Sequence, residues 1–329
     1  MKFKITGIRL INCGAYKDTY IDFINEDSNP LETCIIAGAN GSGKTTLLEL
    51  ITQLAPIFCP RRIHKIKLKF DYAQIDWLIN DTPFSLYYGD KPNDVELKTE
   101  FLGYDFKQTQ TSRGDIYNNI HQRLHNIEGI EVSCKEIEHL QKDSDELPSI
   151  IYFPAMRKFI ELNGHERVVR LEKVTQEFVH IHKNWHSFTN SLESYLIYLE
   201  YAEPEQFKII IDFMNDININ EKKYTIDRRA VKVMVQLKDG STHGLEKMSA
   251  GEQNILIMLA ELRRRLVSKH SIVLIDEIEE SLHNSFQYKL LQGLLKLQKQ
   301  MDFQLICTTH SKNIVDYCFP EQIRILTEF

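Results

Sequence analysis

Residues 38–45 read Gly-Ala-Asn-Gly-Ser-Gly-Lys-Thr, and no other stretch restricts the fold of this chain as much. Gly38, Gly41 and Gly43 let the backbone curl so that successive N–H groups point inward, the arrangement that cradles phosphate oxygens. Such a loop needs a buried strand before it and a helix after it. Both are readable: Thr33-Cys34-Ile35-Ile36-Ala37 is a compact apolar run, and Thr46 to Leu54 has helical apolar spacing that stops before Pro56. The helix adds the positive end of its dipole to the loop. In that setting Lys44 reaches the β- and γ-phosphates of a nucleotide, and the Thr45 hydroxyl ligates Mg2+. A chance glycine-rich turn would lack the flanking strand and helix.

A phosphate loop needs carboxylates on a neighbouring strand. Residues 272–277, Ile-Val-Leu-Ile-Asp-Glu, supply them. Four apolar residues cannot shield an unpaired charge, so the two acids belong at the strand's carboxyl edge, where ligands bind in open α/β sheets. Asp276 is the candidate for the Mg2+ shell. Glu277, next to it, is the candidate to orient the attacking water. Glu279 and Glu280 read as acids favoured in the first turn of a helix.

The rest of the chain supplies a mostly parallel sheet. Helical patterns at 251–266 and 282–300 alternate with apolar strands at 271–275, 303–308 and 323–326. Near the N-terminus, Phe3, Ile5, Ile8, Leu10, Ile21 and Phe23 predict short strands broken at Asn12-Cys13-Gly14. Strand-like patterns recur at 63–70 and 84–88, and Ser149 to Pro154 is a second buried-strand candidate. Helical spacing covers 115–142, 166–201 and 204–216, and 231–237 alternate ahead of an Asp239-Gly240 hairpin turn. The divisions that follow are a lobe with the phosphate loop over 1–110, a mainly helical insertion over 111–224 containing the strand near 149–154, and a second lobe with the acid pair over 225–329.

Three further segments complete a set. Met248-Ser249-Ala250-Gly251-Glu252-Gln253 opens a helix with Ser249 as N-cap and Glu252 three places on, the pattern of a capping box. Ser281-Leu282-His283 follows the acids, and Thr308-Thr309-His310-Ser311 ends the next buried strand. In this order and spacing, the phosphate loop, the Met248–Gln253 signature, the Asp-Glu strand and the two histidine segments resemble the ATP-binding-cassette (ABC) ATPases. Within them the chain resembles the soluble SMC/RecF/OLD-like branch, an AAA family ATPase of antiphage-defence type without coiled coil or Toprim domain. The run from Ile5 to Phe23 is similar to the opening strands of RecF-like heads. The resemblance covers roughly 1–55 and 225–329.

The resemblance implies an α/β fold: an ABC-ATPase head with a mixed or parallel sheet core, an N-terminal antiparallel β subdomain and a helical insertion. It implies an ATPase using ATP and Mg2+, with Glu277, Lys44 and His310 catalytic and Thr45 and Asp276 on the metal. Gly38, Asn40, Gly41, Ser42, Gly43, Lys44, Thr45 and Thr46 would hold the nucleotide, while Ser249, Gly251 and Glu252 would meet it from a second head. His310 would sense the γ-phosphate, Ser281 to His283 would face the partner, and Asn12, Tyr16 and Lys17 would lie near the base or ribose. Ile278 and Asn284 stand where proline is common. The family's glutamine for the metal shell has no clear counterpart: Met156-Arg157 follows the strand at 150–154, and Gln74 lies in a strand-like run.

The implied partners are a second copy of the chain, as a homodimer or higher homo-oligomer through ATP-sandwiched heads, and a separate effector (a nuclease or toxin). A RecF-like DNA-repair ATPase is the alternative, and a transporter subunit fits less well because the insertion is long. The net charge of −6 argues against a surface coated in positive charge. Nucleic acid would need a local patch, for which Arg61, Arg62, Lys65, Lys67 and Lys69, or Arg263, Arg264 and Arg265, are candidates. No apolar stretch approaches the length of a membrane span. The six cysteines lack metal-site spacing and fit a reducing compartment, which makes the cytoplasm the expected location.

Overall fold

The computed structural model describes residues 2–55, 68–98, 100–104, 149–155, 179–181, 192–217, 222–265 and 270–326. Strands β1 (Phe3–Cys13), β2 (Tyr16–Asp22), β4 (Tyr72–Ile79), β5 (Thr82–Gly89) and β6 (Glu100–Tyr104) form one sheet in the order β2-β1-β4-β5-β6. Strands β3 (Thr33–Gly38), β7 (Ile150–Phe153), β8 (Val179–Ile181), β12 (Ile272–Ile275), β13 (Gln304–Thr309) and β14 (Ile323–Leu326) form a second, wholly parallel sheet in the order β14-β3-β13-β12-β7-β8. A third, antiparallel sheet joins β9 (Lys223–Asp227), β10 (Lys232–Gln236) and β11 (Thr242–Gly244).

The apolar runs of the parallel sheet exist because both its faces are covered, as parallel sheets require. On one face Cys34, Ile36, Ile150, Tyr152, Ile272, Leu274 and Ile306 join a core with the N-terminal sheet and the helix α1 (Lys44–Leu54). On the other, Ile35, Ile151, Phe153, Val273, Ile275, Leu305 and Cys307 pack with the remaining helices and the three-stranded sheet. Those helices are α2 (Leu192–Ala202), α3 (Pro204–Ile217), α4 (Ala250–Arg265), α5 (Asn284–Met301) and the short α6 (Lys312–Asp316). The strict alternation of neighbours between the two cores is the period-two pleat of a strand buried on both sides. The fold is thus the α/β class expected, a parallel core with a β subdomain beside it. No described helix is long and apolar enough to cross a membrane.

Several expectations are corrected. The helical pattern through 166–201 is interrupted by β8, which extends the sheet by pairing Ile150 with Val179, and α2 begins only at Leu192. Sheet pairing overrides local propensity there. The N-terminal sheet is antiparallel except at its last pair, where β5 and β6 run parallel. Of the strand-like pattern at 63–70, Leu68 and Phe70 lie outside any strand, ahead of β4 at Tyr72, and Ile63 and Ile66 lie outside the described residues. The helical pattern at 115–142 also falls outside them. Gln74 is a poor metal ligand, because its side chain accepts from Tyr72 Oη at 2.8 Å and donates to Asp76 Oδ1 at 2.8 Å within the β subdomain.

Candidate nucleotide site

β3 ends at Gly38 and α1 begins at Lys44, so residues 38–45 form the turn between them. Gly41 and Gly43 have φ of 84° and 90°, the left-handed region that favours glycine. A Cβ on Gly43 would also stand 2.7 Å from the Tyr16 ring. Lys44 is buried, and its ammonium donates to the carbonyls of Gly38 and Ala39 at 2.8 and 2.7 Å, folding it back over the loop. Asn40 and Thr45 lie on the exposed side, and Ser42 is buried. The turn after β1 flanks the loop: Tyr16 packs on Gly43, and a Cβ on Gly14 would lie 3.5 Å from Thr46. Asn12 instead donates to Asp71 at 2.6 Å, and Lys17 is exposed.

The acid pair meets this loop from across the sheet. β13 lies between β3 and β12, so the carboxyl ends of three neighbouring strands present the loop, the acids and His310 along one edge. Thr45 Oγ1 donates to Asp276 Oδ2 at 2.7 Å, joining residues 231 positions apart. Thr308 Oγ1 donates to the other oxygen, Asp276 Oδ1, at 2.5 Å, and accepts from the Glu277 N–H at 2.8 Å. The Asp276 N–H donates to Phe153 O at 2.8 Å. Asp276 is 1% exposed, yet both its oxygens are engaged, which is how a buried carboxylate is tolerated. Glu277 has φ of 45°, a conformation L-residues adopt rarely and hold mainly where surrounding contacts impose it. Its carboxyl is pushed above the ordinary range, first by burial and then by the neighbouring Asp276, against the opposing pull of His310.

Glu279 is not a first-turn helix acid, because α5 starts at Asn284. Its carboxylate is buried and accepts from Thr309 Oγ1 at 2.7 Å and from the His310 N–H at 2.7 Å. His310 Nδ1 sits 3.1 Å from the same oxygen. Thr308 and Glu279 are therefore residues to which the sequence reading gave no role of their own. The signal available for Glu279 was an acid in a run that must turn before the next helix.

The signature segment is built differently. Ser249 precedes α4, and the Glu252 N–H donates to Ser249 Oγ at 3.3 Å while the Ser249 N–H donates to Glu252 Oε2 at 3.0 Å, a closed capping box. Lys222 pairs with Glu252 at 2.6 Å, both largely shielded from solvent. Burial raises the Glu252 carboxyl, but the hydrogen bonds from Lys222 and Ser249 outweigh it and hold the group below its ordinary value. Gly251 packs on the next motif, since a Cβ there would lie 2.6 Å from Ser281 O. Asn254 donates to Glu280 O at 3.1 Å. Ser249 itself is exposed. His283 caps α5, accepting from the Ser285 N–H. The structure thus gathers Gly38 to Thr46, Asp276, Glu277 and His310 on one edge, and it ties Gly251 to the Ser281–Leu282 segment.

The donor set at the edge fits Mg2+. A hydroxyl and a carboxylate are hard oxygen ligands, and Mg2+ bound beside phosphates needs only one or two from the protein. Among the described residues no group of three or more His, Cys, Asp or Glu forms a metal cage. Of the basic candidates, Lys69 is exposed and Arg263 to Arg265 fall on the last turn of α4, while Arg61, Arg62, Lys65 and Lys67 lie outside the described residues.

With this geometry in place, the comparisons are informative. Residues 61–316 match the family described as "AAA domain, putative AbiEii toxin, Type IV TA system". The chain belongs to this family. It is an ATPase of the AAA type. The match begins after the phosphate loop, which is legible from its own residues. The "Retron Vc95 probable ATPase" of Vibrio cholerae serotype O1 biovar El Tor is 24% identical over 98% of this chain and 74% of its own length. The "Retron Ec83 probable ATPase" of Escherichia coli is 20% identical over 95% of this chain and 69% of its own. Among solved structures, the SMC head domain from Thermotoga maritima aligns over 95% of this chain and 91% of its own, at 14% identity and a TM-score of 0.43.

Proposed function

We propose that this ATPase binds Mg-ATP on the edge formed by residues 38–46, Asp276 and Glu277, and closes on a second copy whose Ser249 and Gly251 complete the site. The observation that carries the reading is the hydrogen bond of 2.7 Å from Thr45 to Asp276, with Glu277 next in sequence. It supports the reading because Thr45 and Asp276, the two proposed Mg2+ ligands, meet there, with the proposed water-activating acid next in sequence. Bound Mg2+ supplies neutralisation of charge on the β- and γ-phosphates. Lys44, freed from the Gly38 and Ala39 carbonyls, turns to those phosphates. Glu277 orients the water that attacks phosphorus and takes its proton as the bond to ADP breaks. His310 contacts the γ-phosphate. Glu252, already engaged by Lys222 and Ser249, holds the signature serine in position.

ATP would draw two heads together, and hydrolysis would release them. That cycle would control a separate effector, a nuclease or toxin, in antiphage defence. The likeness to two retron ATPases and the toxin–antitoxin wording of the family description support this setting over a RecF-like repair role. The region from about 60 to 225 would supply the specificity. Buried Cys13 and Cys34 are free thiols, which suits a reducing compartment such as the cytoplasm. The test is phosphate release by the purified chain with Mg2+ and ATP. Release that disappears in Lys44→Ala supports the assignment, and equal release by that variant rejects it.

A further inference from the structure

Glu279 has no part in the assignment above, yet its buried carboxylate takes three contacts from the end of β13. We propose that Glu279 is a positioning residue: it fixes His310 with a proton on Nδ1, leaving Nε2 as the polar ring atom presented to the phosphate. The inference rests on His310 facing the γ-phosphate.

Three contacts converge on one carboxylate. Thr309 Oγ1 donates to Oε2 at 2.7 Å, the His310 N–H donates to Oε1 at 2.7 Å, and His310 Nδ1 lies 3.1 Å from that same oxygen. The Glu279 side chain is 4% exposed, whereas that of His310 is 45% exposed. An ionised carboxylate only accepts, so the ring nitrogen facing it must carry hydrogen. The ring nitrogen facing Glu279 is therefore Nδ1–H, which leaves Nε2 as the other polar atom of a half-exposed ring. Holding both the backbone and the ring of one residue restrains the main chain and the ring orientation together. Carboxylate partners of this kind orient functional histidines at metal sites, where losing them costs about ten- to a hundred-fold in activity.

The carboxylate is itself held. Ser311 N donates to Thr309 Oγ1 at 3.0 Å, and Ser311 Oγ donates to Gln287 Oε1 at 2.7 Å. Gln287 in turn donates to Leu282 O at 3.1 Å. The chain of contacts runs from His310 to the Ser281–His283 segment, which Gly251 packs against. A displacement of that segment would reach the histidine through Glu279.

The test uses the full chain and two readouts. Ring 15N shifts of His310 at neutral pH, assigned by their loss in His310→Gln, should show hydrogen on Nδ1 in the wild type and on Nε2 in Glu279→Leu. Steady-state phosphate release should fall about ten- to a hundred-fold in Glu279→Leu, with nucleotide affinity unchanged. Adding His310→Gln to Glu279→Leu should cost little more, and Glu279→Gln should restore most of the rate by keeping an acceptor in place. Hydrogen on Nε2 in the wild type overturns the proposal, as does a full additive loss in the double variant. Should Glu279→Leu fail to fold, Glu279→Asp, which shortens the reach, carries the same comparison. Wild type with Nδ1–H but no phosphate release would sink the ATP-hydrolysis assignment and not this one.

Discussion

The loop-and-acid edge and the start of α4 are both phosphate-binding structures by sequence, but the chain treats them in opposite ways. At the edge, Lys44 and Asp276 are 5% and 1% exposed, and hydrogen bonds join Thr45 of α1 and Thr308 of β13 to Asp276 at the end of β12. At the start of α4, the capping box is closed on itself, Glu252 is tied to Lys222, and the serine faces solvent. One half-site is organised inward and the other is presented outward. A chain that finished its own site would have reason to bury both. The difference fits the proposal that α4 offers its N-terminus to a second head, the occupant that the shared ATP would bring.

That contrast can be broken most severely at the acid edge. Glu277→Gln should lower phosphate release by about 10^2- to 10^4-fold, the span for losing an acid–base group, while leaving ATP binding intact in a fluorescent-nucleotide titration. Thr308→Val keeps the side chain's shape but removes the donor to Asp276 and the acceptor for the Glu277 N–H. It should cost about 1–3 kcal/mol of stability in denaturant unfolding, the range for a buried group left unpaired. If it is neutral, the edge is not organised as described. Ser249→Ala should cost less to the fold, about 0.5–2 kcal/mol as a lost cap. It should lower phosphate release at saturating ATP while single-chain nucleotide affinity stays the same. The reverse pattern would mean the serine acts within its own protomer.

The smallest effect is a pH dependence. The Glu252 carboxyl is held below its ordinary value of 4.5 by Lys222 and Ser249, although burial alone would raise it. A depressed acid stabilises the fold above its unfolded value, and that contribution is lost as pH falls through the lower folded value. Melting temperature measured on the acid side of 4.5 should therefore fall more steeply for wild type than for Lys222→Met. The effect should be small because burial opposes the hydrogen bonds that lower the carboxyl. Parallel acid limbs would remove the pair from the account.

Much of this architecture was legible because the chemistry constrains the residues tightly. Gly41 and Gly43 occupy left-handed backbone that other residues avoid, and the apolar runs of β3, β12 and β13 report a sheet covered on both sides. The Asp-Glu pair announced itself by following such a run. What was not legible depended on partners distant in sequence. The run holding Gln74 was legible as strand-like, but nothing local showed that β4 holds Gln74 and Asp76 in a buried polar network with Ser85 and Tyr72. β8 is a strand because β7 offers an edge, which no local pattern encodes. Glu279 read as a helix-start acid because local spacing cannot show that Thr309 and His310 return to it. Thr308 was part of a recognised segment, but its place between Asp276 and the Glu277 N–H emerges only from the register of β12 beside β13.

The central claim is that the outward face of α4 meets the edge of a second copy through ATP. The measurement that tests it most directly is the solution mass of Glu277→Gln, by light scattering, with and without Mg-ATP. The account predicts a shift to twice the ATP-free mass, or a tightened existing oligomer, when Mg-ATP is added, and loss of that response when Ser249→Ala is introduced as well. ATP that binds fully while mass and shape stay unchanged would contradict it.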